Sequence, residues 1–200
     1  MMIGIFIEPN NQLRKYIVKW KNKINKKFNR TKLTSHPPHS TIYYANLTTN
    51  KDILEVINKI SKKTNSFKIS VNKTLIFYDD KLTGGDTMCL LVNKNNKLFQ
   101  LQKKIAENLR LFIKKNTNLN SKLTGKRFIA SERKYGYPFV GNHWLPHFTI
   151  GSIKSKRNSN EFKKFVEEKI KYINKVSHLS VWKVSKKNHI LIKRFKLKDQ

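Results

Sequence analysis

The stretch WLPHFTIGS (residues 144–152) repeats the centre of an earlier stretch, PPHSTIYYA (residues 37–45). Both contain the phrase Pro-His-x-Thr-Ile, in a chain that has only six histidines and five prolines. The first phrase carries His39 and Thr41, and the second carries His147 and Thr149. Because this joint match is much harder to obtain by chance than a lone His-x-Thr, we interpret the two phrases as a functional pair.

Both phrases lie in sequence that is typical of β-strands, where residues i and i+2 point to the same face. We therefore expect His39 and Thr41 to share one face of a strand, and His147 and Thr149 to share one face of another. Placed side by side at the centre of a sheet, the two strands would bring two imidazoles and two hydroxyls to one cleft.

Two imidazoles and two hydroxyls suit phosphoester chemistry without a metal. An ordinary histidine pKa of ~6.5 lets a neutral ring and a protonated ring coexist near neutrality, one as base and one as acid. The threonine hydroxyls can donate to phosphate oxygens as charge develops on them. The sequence does not assign the two roles between His39 and His147.

The remaining pattern predicts the order β-α-β-α-β-β-α-loop-β-α-β-β, which is an α+β fold with two similar lobes. We expect one bilobal domain over residues 1–200, with two antiparallel-rich sheets lining a central cleft and helices outside. Residues 116–141 read as an irregular loop, and residues 158–173 as a helix. A closing hairpin is predicted at the end of the chain.

The charge of the chain is +31, from 43 Lys and Arg against 12 Asp and Glu. Such an excess attracts polyanions and predicts a nucleic-acid partner. Compositional bias explains it equally well, because Lys and Asn are abundant throughout the chain. Charge alone thus suggests an anionic partner without identifying one.

The lone Cys89 and the short N-terminal apolar run indicate the compartment. One cysteine forms no intramolecular disulfide, which fits a reducing environment. The apolar run, residues 1–7, is too short to span a bilayer, lacks a basic segment before it and ends at Glu8. We therefore expect a cytoplasmic protein with no membrane partner and no obligate protein partner, present as a monomer.

With its two His-x-Thr phrases about a hundred residues apart in a β-α chain, the sequence resembles the two-histidine (2H) phosphoesterase superfamily, which includes 2′-5′ RNA ligase-like proteins and cyclic phosphodiesterases. The resemblance covers nearly the whole chain. It implies a bilobal fold, catalysis by His39 and His147, phosphate binding by Thr41 and Thr149, and no cofactor or metal. The first phrase differs from the family pattern at Ser40, where members of the family often have a hydrophobic residue.

Further substrate contacts are predicted at Tyr43, Arg133, Tyr135 and Trp144. Tyr43 follows Thr41 by two residues and is expected on the same face. The segment with the other three mixes cations with aromatics, which suits phosphate contact and base stacking. The alternative is that its aromatics, Trp144 among them, pack under the sheet.

The other histidines have plainer interpretations. His178 and His189 are predicted to be solvated or structural. His36, three residues before His39, is predicted to be solvated, with contact to substrate at the rim of the cleft as the alternative. His143 and His147 form an HxxxH pair, but Pro146 prevents the undisturbed helix that a zinc motif of this kind needs. The glycines of LTGGDT (residues 82–87) predict a hairpin turn rather than a phosphate loop.

The sequence therefore predicts an enzyme that hydrolyses 2′,3′-cyclic phosphates or 2′-5′ phosphodiesters of RNA, oligonucleotides or nucleotides. Ligation of RNA ends by the same site is an open alternative, because the chemistry is reversible. A non-catalytic RNA-binding module, in which the two phrases only bind phosphate, is the alternative from another class.

Overall fold

The computed structural model of the chain describes residues 1–28, 32–48, 51–114, 123, 125–154, 159–185 and 188–199. It confirms the α+β class. The strands, numbered in chain order, are β1 (Met2–Ile7), β2 (Ser40–Asn46), β3 (Phe67–Asp80), β4 (Gly85–Val92), β5 (His147–Ile153), β6 (Tyr172–Val176), β7 (His178–Val184) and β8 (His189–Lys196). The α-helices are α1 (Asn11–Phe28), α2 (Lys32–Ser35), α3 (Lys51–Lys62), α4 (Asn96–Leu109), α5 (Lys126–Tyr135) and α6 (Asn160–Glu167).

The eight strands form one sheet in the order β6-β3-β4-β5-β2-β1-β7-β8, with every neighbouring pair antiparallel. The two strands with the repeated phrase, β2 and β5, meet at its centre through a single pair, Ser40 with Phe148. Four strands lie on each side of this seam. The predicted two-lobed arrangement is therefore present, but the two expected sheets are joined into one.

Helices pack on one face of this sheet. A Cβ on Gly151 of β5 would lie 2.8 Å from Thr34 of α2 and 3.5 Å from Ile24 of α1. On the same face, the Thr74 hydroxyl of β3 donates to the Val166 carbonyl of α6. Helix α1 buries a stripe at helical spacing, which includes Ile24, and this apolar face covers the sheet.

The structure differs from the prediction in two longer segments, and the short helix α2 was also not predicted. Residues 116–141 were expected to be irregular, yet α5 lies within them, ended by Gly136 at φ 63°. The predicted helix over residues 158–173 ends at Glu167 instead, and β6 follows as an edge strand paired with β3. The Glu168 carboxylate accepts the Trp20 indole N–H (2.9 Å) and the Tyr16 hydroxyl of α1. We attribute the early helix end to this tertiary anchor, which local helix propensity does not reveal.

Among the residues that the structure describes, no helix combines the length and apolar character that crossing a bilayer requires.

Candidate active site

The strand register at the seam brings the four residues of the two phrases together. Ser40 pairs with Phe148, so one residue further on each side His39 stands opposite Thr149 and Thr41 stands opposite His147. In antiparallel strands the Cβ atoms of opposite residues are ~5 Å apart and those of diagonal neighbours ~7–8 Å. The two histidines are therefore diagonal neighbours, on the face away from the helices.

Each histidine is held by the residue that precedes its proline. The Nδ1 atom of His39 lies 2.7 Å from the Pro37 carbonyl, and the Nδ1 atom of His147 lies 2.7 Å from the Leu145 carbonyl. A carbonyl only accepts, so Nδ1 carries a hydrogen in both rings, and Nε2 is the atom that gains or loses a proton. The shared Pro-His phrase thus corresponds to a shared ring orientation and tautomer.

His39 lies in an aromatic cluster. The Phe6 ring of β1 stacks on it with centroids 4.0 Å apart and planes 18° apart. The His189 ring of β8 lies 5.5 Å from His39, and the His36 ring lies 3.9 Å from His189. His189, which the sequence did not connect with the two phrases, therefore lies beside the first of them, because the β7-β8 hairpin returns to the sheet next to β1. His36, for which contact at the rim of the cleft was the less favoured alternative, lies in the same cluster.

Gly4 makes room for the Phe6 ring. A Cβ on Gly4 would overlap Cζ of Phe6 and lie 2.5 Å from its Cε1, so the ring occupies the space that a side chain would take. Phe6 is 2% exposed and its ring centroid is 6.3 Å from that of Trp182. The small residue in β1 therefore permits the stacking on His39.

Lys21 of α1 holds the loop that leads to His39. Its Nζ donates to the Leu33 and His36 carbonyls, each at 2.9 Å, and the residue is 5% exposed. Burial lowers the pKa of Lys21 to about 8. This buried ammonium group thus fixes the approach to the first phrase and adds positive potential there.

Replacing Lys21 with methionine is expected to lower the free energy of unfolding by about 1–3 kcal/mol, because two carbonyls lose their donor. Lys19→Met is the matched control, since Lys19 is exposed on the same helix; its effect should stay within about 0.5 kcal/mol. Urea unfolding monitored by circular dichroism measures both. Equal stabilities of the two variants would contradict the anchoring role.

The surroundings of His39 favour its neutral form. Burial lowers the pKa of His39 to about 3, with smaller contributions from the nearby His189, Lys21 and His36, against a hydrogen bond to Pro37 that raises it. His39 is therefore neutral in the free protein near pH 7.

His147 has a different environment. The Phe77 ring of β3 meets it edge-on at 5.4 Å, and Cys89 of β4 lies beside Thr149, with Sγ 3.9 Å from Oγ1. Burial lowers the pKa of His147, while the hydrogen bond to Leu145 and the Asp80 carboxylate oppose this shift. The Asp80 charge thus offsets part of the lowering, and the pKa of His147 stays below its ordinary value.

The predicted position of Tyr43 is wrong. Tyr43 pairs with Ile5 while Thr41 pairs with Phe6, so a β-bulge at Ile42 turns Tyr43 to the opposite face from Thr41. Tyr43 is 0% exposed and its hydroxyl donates to the Tyr135 carbonyl at 2.5 Å. It is a core residue under the helices.

The other three predicted substrate contacts also lie elsewhere. The Tyr135 hydroxyl donates to Glu107 of α4 at 2.6 Å, and Trp144 is 4% exposed and packs edge-on against Phe99 of α4. Arg133 is exposed on α5, a helix that packs against α4. The alternative, that these aromatics pack under the sheet, is the correct one for Trp144.

The two remaining histidines lie apart from the seam. His143 Nε2 is 2.9 Å from the Pro138 carbonyl, and the ring packs edge-on against Phe128. His178 is exposed at the start of β7, beside Ser177. Within the described ranges, no group of three or more His, Cys, Asp or Glu side chains is arranged to hold a metal ion.

Comparison with solved structures identifies proteins that share this fold. TT0787 of Thermus thermophilus has a TM-score of 0.67 and 13% identity, with 100% of both chains covered. E. coli LigT complexed with 3′-AMP has a TM-score of 0.59 and 10% identity, with 98% of this chain and 97% of LigT covered. A phosphoesterase has a TM-score of 0.54 and 10% identity, with 98% of each chain covered. No protein-family model and no curated protein matches the sequence. The predicted 2H phosphoesterase-like fold is thus confirmed.

Proposed function

We propose that the chain is a metal-independent phosphoesterase that acts on 2′,3′-cyclic phosphates or 2′-5′ phosphodiesters of RNA and oligonucleotides. The observation that carries this proposal is the seam itself. His39 opposes Thr149 and His147 opposes Thr41, and the Nδ1 atom of each imidazole faces a carbonyl at 2.7 Å. Because each Nδ1 faces a carbonyl, Nε2 is the proton-transfer atom of each ring, and two such atoms supply one acid and one base for one phosphate.

The neighbours of the two imidazoles favour one assignment of roles. His39 accepts the proton of the attacking water as the general base, because its surroundings keep it neutral. His147, near Asp80, donates a proton to the leaving ribose oxygen as the general acid. Thr41 and Thr149 donate hydrogen bonds to the non-bridging oxygens, where negative charge increases during the reaction. Run backwards, the same steps join a 2′-hydroxyl to a cyclic phosphate, so ligation is the second candidate activity.

RNA as the substrate class is supported by charge and by fold. The net charge of +31 attracts a polyanion. E. coli LigT, which shares the fold, has been solved with 3′-AMP, and another similar structure is that of a phosphoesterase.

A panel of 2′,3′-cyclic nucleotides, 2′-5′ oligoadenylates and 3′-5′ oligomers tests this function in the presence of EDTA. We expect turnover of a cyclic phosphate or a 2′-5′ bond and much less of 3′-5′ oligomers. Binding of all RNAs without turnover at any pH would support the non-catalytic RNA-binding alternative instead.

The pH dependence of kcat/KM should reflect the pKa values of the free protein. The base must be neutral, so activity falls as pH drops through the pKa of His39, about 3. The acid must be protonated, so activity also falls as pH rises through the pKa of His147, which lies below its ordinary value. The maximum is therefore expected below pH 6.5. An anionic substrate raises both values, so the kcat profile should lie at higher pH.

The variant Asp80→Asn tests the assignment of His147 as the general acid. It removes the carboxylate that raises the pKa of His147, so the basic limb of the profile should move to lower pH. At pH 7 kcat/KM should fall, because a smaller fraction of His147 is protonated. Asp79→Asn on the same turn is the matched control. A basic limb that does not move in Asp80→Asn would reject the assignment of His147 as the acid.

A further inference from the structure

Three imidazoles from distant parts of the chain meet on one side of the seam. His36 precedes β2, His39 opens the first phrase, and His189 begins β8. The ring centroids of His189 and His36 are 3.9 Å apart, and those of His189 and His39 are 5.5 Å apart. His189 also lies 6.0 Å from Phe6, so it stands at the edge of the Phe6–His39 stack. The proposed acid–base step uses only His39 of these three.

The chain around this cluster is strongly basic. Residues 9–51, which supply His36 and His39, contain no Asp or Glu, and neither do residues 169–198, which supply His189. The nearest acid in sequence to Phe6 is Glu8, whose carboxylate is engaged by Arg14 at 3.3 Å and by Arg194 at 2.8 Å. The buried Lys21 adds a positive charge that acts on His39.

The opposite side of the seam is different in charge. The β3-β4 hairpin carries Asp79, Asp80 and Asp86, and Asp80 acts on His147. Lys68, Lys73 and Lys81 balance these three acids in formal charge, so the hairpin lacks the excess of positive charge found around the His39 cluster. A substrate with a second phosphate is therefore attracted more strongly to the His39 side than to the His147 side.

We propose that His36 and His189 form a second phosphate subsite, which binds the phosphate next to the reacting one. This inference rests on the proposed function, and it narrows the substrate class to 5′-phosphorylated nucleotides and oligonucleotides. Imidazoles with hydrogen on nitrogen donate charge-assisted hydrogen bonds to phosphate oxygens.

The geometry of displacement agrees with a lateral subsite. The attacking and leaving oxygens lie roughly in line through phosphorus, on the line between the two catalytic imidazoles. The ester oxygen that stays bonded to phosphorus points to one side of this line, and the rest of the strand extends in the same direction. We place this lateral position at the edge of the Phe6–His39 stack, where the rings of His189 and His36 lie.

Binding of two product-like ligands tests the subsite directly. Adenosine 3′-phosphate and adenosine 3′,5′-bisphosphate differ by one phosphate, and isothermal titration calorimetry at low salt gives both dissociation constants. We expect the 5′-phosphate to tighten binding to the wild-type protein roughly ten-fold, as a charge-assisted contact does. In His189→Asn this gain should fall to about two-fold or less, while His178→Asn, a control on the same hairpin, keeps it.

His36→Asn provides a second, independent variant, and thermal melting checks that each variant is folded. Loss of the gain in a folded variant, with the gain retained in the control, supports the subsite. Absence of the gain in the wild type, or its persistence in both His36→Asn and His189→Asn, overturns it.

The proposed function and the subsite fail in distinguishable ways. If the gain depends on His189 but the protein turns over no phosphoester, the function is wrong and the subsite stands. If cyclic phosphates are hydrolysed but the gain is absent, the subsite is wrong and the function stands. Where both hold, the ratio of kcat/KM for a cyclic phosphate with and without a 5′-phosphate should follow the binding gain.

Discussion

Replacing either His39 or His147 with alanine is expected to lower kcat/KM for a 2′,3′-cyclic phosphate by roughly 10²–10⁴-fold, the usual contribution of one general acid or base. The kcat/KM of the double variant should be little lower than that of the less active single variant, because an acid and a base that serve one step act as a unit. His178→Ala is the control, since His178 is exposed at the start of β7.

Stability and catalysis must be separated in these variants. His39 stacks on Phe6, so its removal opens a gap in the aromatic cluster, and circular dichroism has to show a folded protein. The ring contact of His147 with Phe77 is edge-on rather than stacked, so His147→Ala is the cleaner test. A folded His147→Ala protein with activity within about three-fold of the wild type would contradict the two-histidine mechanism.

Gly4→Ala is expected to reduce stability by about 1–3 kcal/mol, as overpacking of a buried site does. The added Cβ would lie 2.5 Å from Cε1 of Phe6, and the ring is enclosed between His39 and Trp182. A ring forced from this position no longer supports His39, so kcat/KM should also fall, by roughly ten-fold or more.

A double-mutant cycle isolates the cause of the Gly4 effect. In a Phe6→Ala background there is no ring to displace. Gly4→Ala should therefore lower the free energy of unfolding much less there than in the wild type. Urea unfolding of the four proteins measures the interaction free energy. Additive costs would show that Gly4 is required for some reason other than the Phe6 ring.

The repeated phrase allowed the centre of the fold to be predicted. Strand alternation places His and Thr of each phrase on one face, and the similarity of the phrases suggested that β2 and β5 are neighbours. The shared face of His and Thr and the similarity of the two phrases can both be read from local sequence. The pairing of Ser40 with Phe148 agrees with the predicted neighbouring of β2 and β5. The apolar stripe of α1 was predicted in the same way, from helical spacing.

What the sequence did not reveal depends on tertiary contacts. A single-residue bulge reverses the face of Tyr43, and alternation assumes that there is no bulge. Phe6 and His189 come to His39 from the two ends of the chain, through pairing of β1 with β7 and of β7 with β8. One signal was available for Phe6: the glycine two residues before it in a strand indicates a close approach of some other group.

The central claim is that two imidazoles at one seam hydrolyse a phosphoester without a metal. Phosphorus-31 NMR of an RNA ending in a 2′,3′-cyclic phosphate, incubated with the wild-type protein in excess EDTA, tests it most directly. The account predicts conversion of the cyclic signal to a single phosphomonoester signal with the wild type and no conversion with His147→Ala. Retention of the cyclic phosphate by the folded wild-type protein across about pH 4–8, or equal conversion by His147→Ala, would contradict it.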